Sequence, residues 1–147
     1  MITCTDFIPA YSELFKFLHK RGGKRAVEKY WNYLSDKYLI NLKKLVKKHG
    51  LKGCWLYWNG TLNEEAADFT MELNGAEGFF SIKMHKCPSK SRLMKAKHIK
   101  PYSDYCCHCN VLYRRVLERL GYEYTFDSSQ CHKAACAIVV RKNKKKT

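Results

Sequence analysis

No run of about 18 apolar residues occurs in the chain, so a membrane-spanning helix and a membrane partner are not expected. The opening residues, Met1-Ile2-Thr3-Cys4-Thr5-Asp6, lack the basic and apolar stretches of a secretion signal. A cytoplasmic location is therefore expected. That location removes most of the force from an even count of eight cysteines, because cytosolic thiols are kept reduced and a disulfide framework is not anticipated. Acidic residues are scarce, 13 against 28 lysines and arginines, and the chain carries a formal charge of +15. No internal repeat has a clear sequence match.

With 147 residues, 46% of them hydrophobic and 14% aromatic, the chain is too apolar for a disordered protein. Its length suits one domain, expected over residues 1–141, followed by a basic disordered tail over 142–147. The charge alone would suit a nucleic-acid binder. The basic residues are spread over the N-terminal helices, the segment from Lys83 to Lys100 and the tail, so nucleic acid is a possible but not a favoured partner.

Leu14, Phe15 and Leu18 recur at helical spacing between Tyr11 and His19, and Arg21-Gly22-Gly23 supplies a stop. Val27, Trp31, Leu34, Tyr38, Leu42 and Leu45 predict a long amphipathic helix from Lys24 to His49, with a break near Ser35-Asp36. A short helix is expected to end at Asn59-Gly60, although the apolar run around Trp55 also permits a strand. Phe69, Met71 and Leu73, then Asn74-Gly75, then Phe80, Ile82 and Met84 predict a β-hairpin that Pro88 closes. A basic helix over Ser89–Lys97 follows. Ser103 or Asp104 can cap a further helix to Leu120, which Gly121 ends. Tyr122, Tyr124 and Phe126 alternate as a third strand, paired through Asp127-Ser128-Ser129-Gln130 with a fourth over Ala135–Arg141. The order hairpin, helices, hairpin predicts an α+β fold, with N-terminal helices packed on an antiparallel sheet of about four strands.

Reactive side chains concentrate in Cys106-Cys107-His108-Cys109, at the expected helix start, where backbone N–H groups favour a thiolate. Cys106 and Cys109 also have the spacing of a metal-ligand pair, which Cys131-His132 and Cys136, about one hairpin away, would complete as a zinc site. His108 suits a base or a metal ligand, and His85 with Cys87 forms a further Cys and His pair. Asp104 and Asp127 flank the cluster and would orient a histidine or bind a substrate ammonium, though capping and turn formation also explain them. Cys4 and Cys54 read as inert small hydrophobes, and packing competes with chemistry at Cys109 and Cys136.

Lys86-Cys87-Pro88, Asp104-Tyr105-Cys106-Cys107-His108-Cys109, a glycine-ended helix and Ala135-Cys136 occur in a characteristic order over residues 67–141. In this the chain resembles the L-2-amino-thiazoline-4-carboxylic acid hydrolase-like family of small bacterial proteins. The resemblance implies opening of a cyclic thiazoline to a carbamoyl cysteine derivative, and Cys87, Cys106 and Cys136 match the family's recurring cysteines. Cys109 or Asn110, and Ala137 after Cys136, stand where the resemblance leads one to expect acidic residues, so a base would come from His108, His132 or a metal-bound water. The leading expectation is a small hydrolase-like enzyme with Cys106 and Cys107 as nucleophile or ligands, and Cys87 and Cys136 in the same pocket. The alternative is a thiol-rich zinc-binding or sensing protein with ligands Cys106, Cys109, His132 and Cys136.

Overall fold

The computed structural model describes residues 3–143. Helix α1 (Cys4–Tyr38) starts earlier than the apolar spacing suggests, because Thr3 caps it, Oγ1 accepting from the Asp6 N–H at 3.2 Å. Gly22 and Gly23 leave helical geometry, Gly23 with φ 67°. In a straight helix Phe15 and Trp31 would lie about 24 Å apart; their ring centroids are 5.2 Å apart, so the glycine pair folds the two arms of α1 together.

The long second helix breaks at buried Leu39 rather than near Ser35-Asp36, giving α2 (Ile40–His49). The Ser35 hydroxyl, instead of interrupting α1, donates to the Leu112 carbonyl at 2.7 Å. Gly50, with φ 61°, turns the chain into α3 (Leu51–Glu64). That helix continues past Asn59-Gly60, as Thr61 and Asn63 bond back to the carbonyls of Tyr57 and Asn59 and Leu62 packs on the core. Packing there outweighs the local turn signal.

Strands β1 (Asp68–Asn74) and β2 (Phe79–Lys86) form the first hairpin; β3 (Tyr122–Asp127) and β4 (Cys136–Lys142) form the second. Pairing of β2 with β4 joins them into one antiparallel sheet of order β1-β2-β4-β3. Its inward face presents Phe80, Ile82, Tyr124, Ile138 and Val140 to Leu42, Val46, Cys54 and Trp58 of α2 and α3 and to Val116 and Leu117 of α5 (Cys107–Arg119). The opposite face carries exposed Thr70, Lys83, His85, Glu123 and Thr125. The architecture is therefore the α+β arrangement that the alternating and helical patterns predict, with five α-helices and a four-stranded antiparallel sheet among the described residues.

A second apolar cluster joins Phe15, Val27 and Trp31 of α1 to Leu93 of α4 (Pro88–Lys95) and to Tyr102 and Tyr105. Buried Ser12 fastens this layer, its Oγ accepting from the Tyr102 N–H at 2.9 Å. Turns occupy 103–106, so α5 starts at Cys107 rather than directly after Ser103 or Asp104. Lys142 belongs to β4, which shortens the expected tail; residues 144–147 of that tail lie outside the described residues. Among the described residues no helix is long and apolar enough to cross a membrane.

Candidate functional site

Five thiols from four segments of the chain meet where the second cluster adjoins the sheet. Cys87 directly follows β2 and caps α4, its sulfur accepting from the Lys90 N–H at 3.4 Å. Cys106 immediately precedes α5 and Cys109 lies in its first turn. Cys131 opens the 3-10 turn Cys131–Lys133, and Cys136 opens β4. Cys136 pairs with Met84 and shares the inward parity of Ile138 and Val140. All five cysteines, with Tyr105, His108, Phe126 and Lys90, line a cavity of about 40 Å³. The 3-10 turn is pinned to β2 by the Cys87 N–H, which donates to the Ala134 carbonyl at 2.7 Å, and closes through a left-handed Ala134 at φ 59°.

His108 is set by two contacts. Nδ1 lies against the Tyr105 carbonyl oxygen; because that oxygen can only accept, Nδ1 carries the proton and Nε2 is bare. Nε2 faces the Cys109 sulfur at 3.5 Å. The ring is enclosed by Tyr105 at 4.8 Å, Tyr11 at 5.6 Å, Phe15 at 5.7 Å and Trp31 at 6.5 Å between centroids. This apolar surround lowers the His108 pKa to about 4, so the imidazole is neutral near pH 7.

Burial acts on the thiols in the opposite direction. It raises Cys87 to about 11 and both Cys109 and Cys136 to about 12. It also raises Cys106, to which the neighbouring Cys131 adds. The thiolate expected from the helix start is thus not the resting form: loss of water outweighs the partial positive charge of the α5 terminus, and Cys106 sits ahead of the first helical residue.

Cys87, Cys106, Cys109, Cys136 and His108 come together, while the other candidates lie elsewhere. Cys107 is exposed and outside the cavity. His132 is exposed as well, and its neighbour Cys131 takes the cavity wall. Strand parity sends His85 and Asp127 to the outer face, where His85 Nε2 meets Thr70 Oγ1 at 2.7 Å and Asp127 accepts from the Ser129 N–H at 2.9 Å. Both line a separate groove of about 250 Å³ with Lys83, Ser129 and Gln130. Asp104 pairs with Lys24 at 3.2 Å. Of the two cysteines read as inert, Cys54 is buried in the main core and Cys4 is exposed, 3.7 Å from Glu65 Oε1.

No family model, curated protein or solved structure matches the chain. The chemistry therefore has to be read from the site itself. Among the described residues no group of three or more His, Cys, Asp or Glu side chains is arranged to hold a metal ion. What the cavity does offer is a thiol beside a bare imidazole nitrogen whose partner nitrogen is fixed by a third group, the relation that nucleophilic catalysis requires. From sequence, Cys109 reads as a packing residue or a ligand, and Cys131 enters with His132 as a candidate metal ligand about one hairpin away. A signal for Cys109 was its adjacency to His108; for Cys131 the spacing from Cys109 was a signal, but the pitch of a short 3-10 turn decides whether it or His132 faces inward.

Proposed function

We propose that the chain is a small cysteine-dependent hydrolase that opens cyclic amide or thiazoline-type C–N or C–S bonds. The carrying observation is the 3.5 Å approach of Cys109 Sγ to His108 Nε2, with Nδ1 held by the Tyr105 carbonyl. The resemblance of the Cys87, Cys106 and Cys136 order to the thiazoline hydrolase-like family narrows the substrate class.

In this reading Cys109 attacks the electrophilic ring carbon as its proton passes to His108 Nε2. The imidazolium returns that proton to the departing ring nitrogen or sulfur when the C–N or C–S bond breaks. Water then adds to the same carbon, giving a proton to Nε2, and expels the Cys109 sulfur, which recovers the proton. One water is consumed and the enzyme is restored. Because thiol and imidazole both rest neutral, proton transfer and bond formation have to be concerted. Lys90 on the cavity wall supplies a positive charge for a substrate carboxylate. The cavity, about 40 Å³, holds only a few water molecules, so it has to widen to admit a ring substrate. Eight free thiols also fit a reducing compartment such as a bacterial cytosol.

The test is a screen of the purified, reduced protein against 2-amino-thiazoline carboxylates, cyclic amides and thioesters. Turnover should be abolished in Cys109→Ser and fall by about 10²–10⁴ in His108→Gln. Absence of turnover across the screen, or rates unchanged in Cys109→Ser, would overturn the assignment.

A further inference from the structure

We propose that the surface between β2, α4 and the 3-10 turn is a groove for the phosphodiester backbone of a nucleic acid, held without regard to base sequence. The inference does not depend on the hydrolase reading. The fold gathers lysines that lie apart in the chain. Lys83 and Lys86 come from β2, Lys95 from the last turn of α4, Lys97 from the turn that follows it, and the 3-10 turn adds Lys133. They line two adjoining stretches, of about 250 and about 450 Å³, that share His85. All five are exposed, and among the described residues none is ion-paired, although Lys24, Arg92 and Arg115 are. Two carboxylates share the groove: Asp127 is occupied by the Ser129 N–H at 2.9 Å, and Asp68 stands opposite Lys86 in the β1–β2 register. Five lysines against two carboxylates leave a clear excess of positive charge.

The chemistry of the lining selects among polyanions. Among the described residues it holds no arginine and no Phe, Tyr or Trp. Protein interfaces concentrate arginine and aromatic rings at their centre and shed lysine. A lipid surface needs an apolar face to insert, and Met94 is the one large exposed hydrophobe in this lining. Lysine ammoniums are point charges that suit phosphate oxygens, and Ser91, Ser129 and Gln130 add neutral donors of the kind that contact a nucleic-acid backbone. Lys83 and Lys86 stand about 10 Å apart along β2, further than one phosphate reaches, so the charge is laid out for successive phosphates. With no ring to stack on bases, sequence goes unread. The basic groove beside α2 differs, because Lys43, Lys44 and Lys47 share it with Leu39, Ile40, Val116 and Leu120.

The experiment titrates the full, reduced chain into labelled oligonucleotides of unrelated sequences, single-stranded and duplex, and follows fluorescence anisotropy at several salt concentrations. Affinity should be alike across sequences, and log K for the duplex should fall with log salt with a slope of about −3 to −4.5, as about three to five phosphate contacts require. Replacing exposed lysines in Lys83→Gln/Lys86→Gln/Lys95→Gln/Lys133→Gln leaves the core untouched and should weaken binding at least ~10-fold, with about one unit of slope lost per lysine. Lys43→Gln/Lys44→Gln/Lys47→Gln, at the α2 groove, and Lys144→Gln/Lys145→Gln/Lys146→Gln should bind as the wild type does. Absence of binding, an equal loss in either of these controls, or tighter binding to polyglutamate or to phosphatidylserine vesicles than to the oligonucleotides would overturn the proposal.

Discussion

Cys109 Sγ and His108 Nε2 stand 3.5 Å apart although their residues are adjacent on α5, because the Tyr105 carbonyl turns the imidazole by holding Nδ1. The pair rests as thiol and neutral imidazole, a state set by the aromatic enclosure and by burial in the cavity wall. That state has consequences for stability as well as for chemistry.

On the acid side, the native His108 has a pKa near 4 against an ordinary 6.5 in the unfolded chain. Below pH 6.5 the unfolded state therefore binds a proton that the native state refuses. The stabilisation is fully present above pH 6.5 and is lost as pH falls towards 4, on the order of a few kcal/mol. Urea midpoints measured across this window should fall in the wild type and fall less steeply in His108→Gln. Equal slopes would mean that the imidazole is not enclosed.

The alkaline side has the opposite sign. Cys54 is fully buried in the main core and its pKa is raised to about 12 from an ordinary 9.0. Its contribution is complete below pH 9.0 and is lost as pH rises towards 12, where the unfolded chain releases a proton that the native core retains. Cys54→Ala should lower stability at neutral pH, by roughly 1–2 kcal/mol for a small buried group, yet flatten the alkaline decline seen in denaturant titrations.

The hairpins were legible because period-two alternation is a direct imprint of a sheet with one wet face, as Phe80, Ile82 and Met84 show. The bend in α1 was legible from Gly22-Gly23. The break at Leu39 was not: its cause is burial of Leu39 in the main core while Ser35 engages α5, and neither partner is near in sequence. In the site, the inward parity of Met84 and Phe126 already implied that His85 and Asp127 face outward, a signal the sequence carried. The grouping of Cys87, Cys106, Cys109, Cys131 and Cys136 depends on tertiary placement of four segments, and no local pattern encodes it.

Gly53 lets α3 approach the backbone of α2 closely. A β-carbon there would lie 2.2 Å from the Leu45 carbonyl oxygen, a backbone atom that cannot swing aside. Gly53→Ala should therefore destabilise the protein despite alanine's better helix propensity, by about 1–3 kcal/mol or more through overpacking. Gly60→Ala supplies the control, because nothing lies within 4 Å of its added carbon. A thermal melt should show Gly53→Ala lowered and Gly60→Ala level or raised; the reverse order would place the helices further apart than described.

Ser12 tests whether the layer behind the cavity is held as a unit. Its buried hydroxyl is the acceptor for the Tyr102 N–H at 2.9 Å, and Tyr102 packs with Phe15, Trp31 and Tyr105, the residues that enclose or hold His108. Ser12→Ala leaves a buried donor without a partner, which costs about 1–3 kcal/mol. Ser35→Ala should cost less, since the Leu112 carbonyl it abandons lies within α5 and keeps its helical partner. The distinguishing readout is local. Loosening of 102–106 should speed alkylation of Cys106 in Ser12→Ala under native conditions, while Cys54, in the other core cluster, stays as slow as in the wild type. Equal acceleration at both cysteines would instead report global unfolding, and no acceleration at Cys106 would show that Ser12 does not restrain the segment leading into the site.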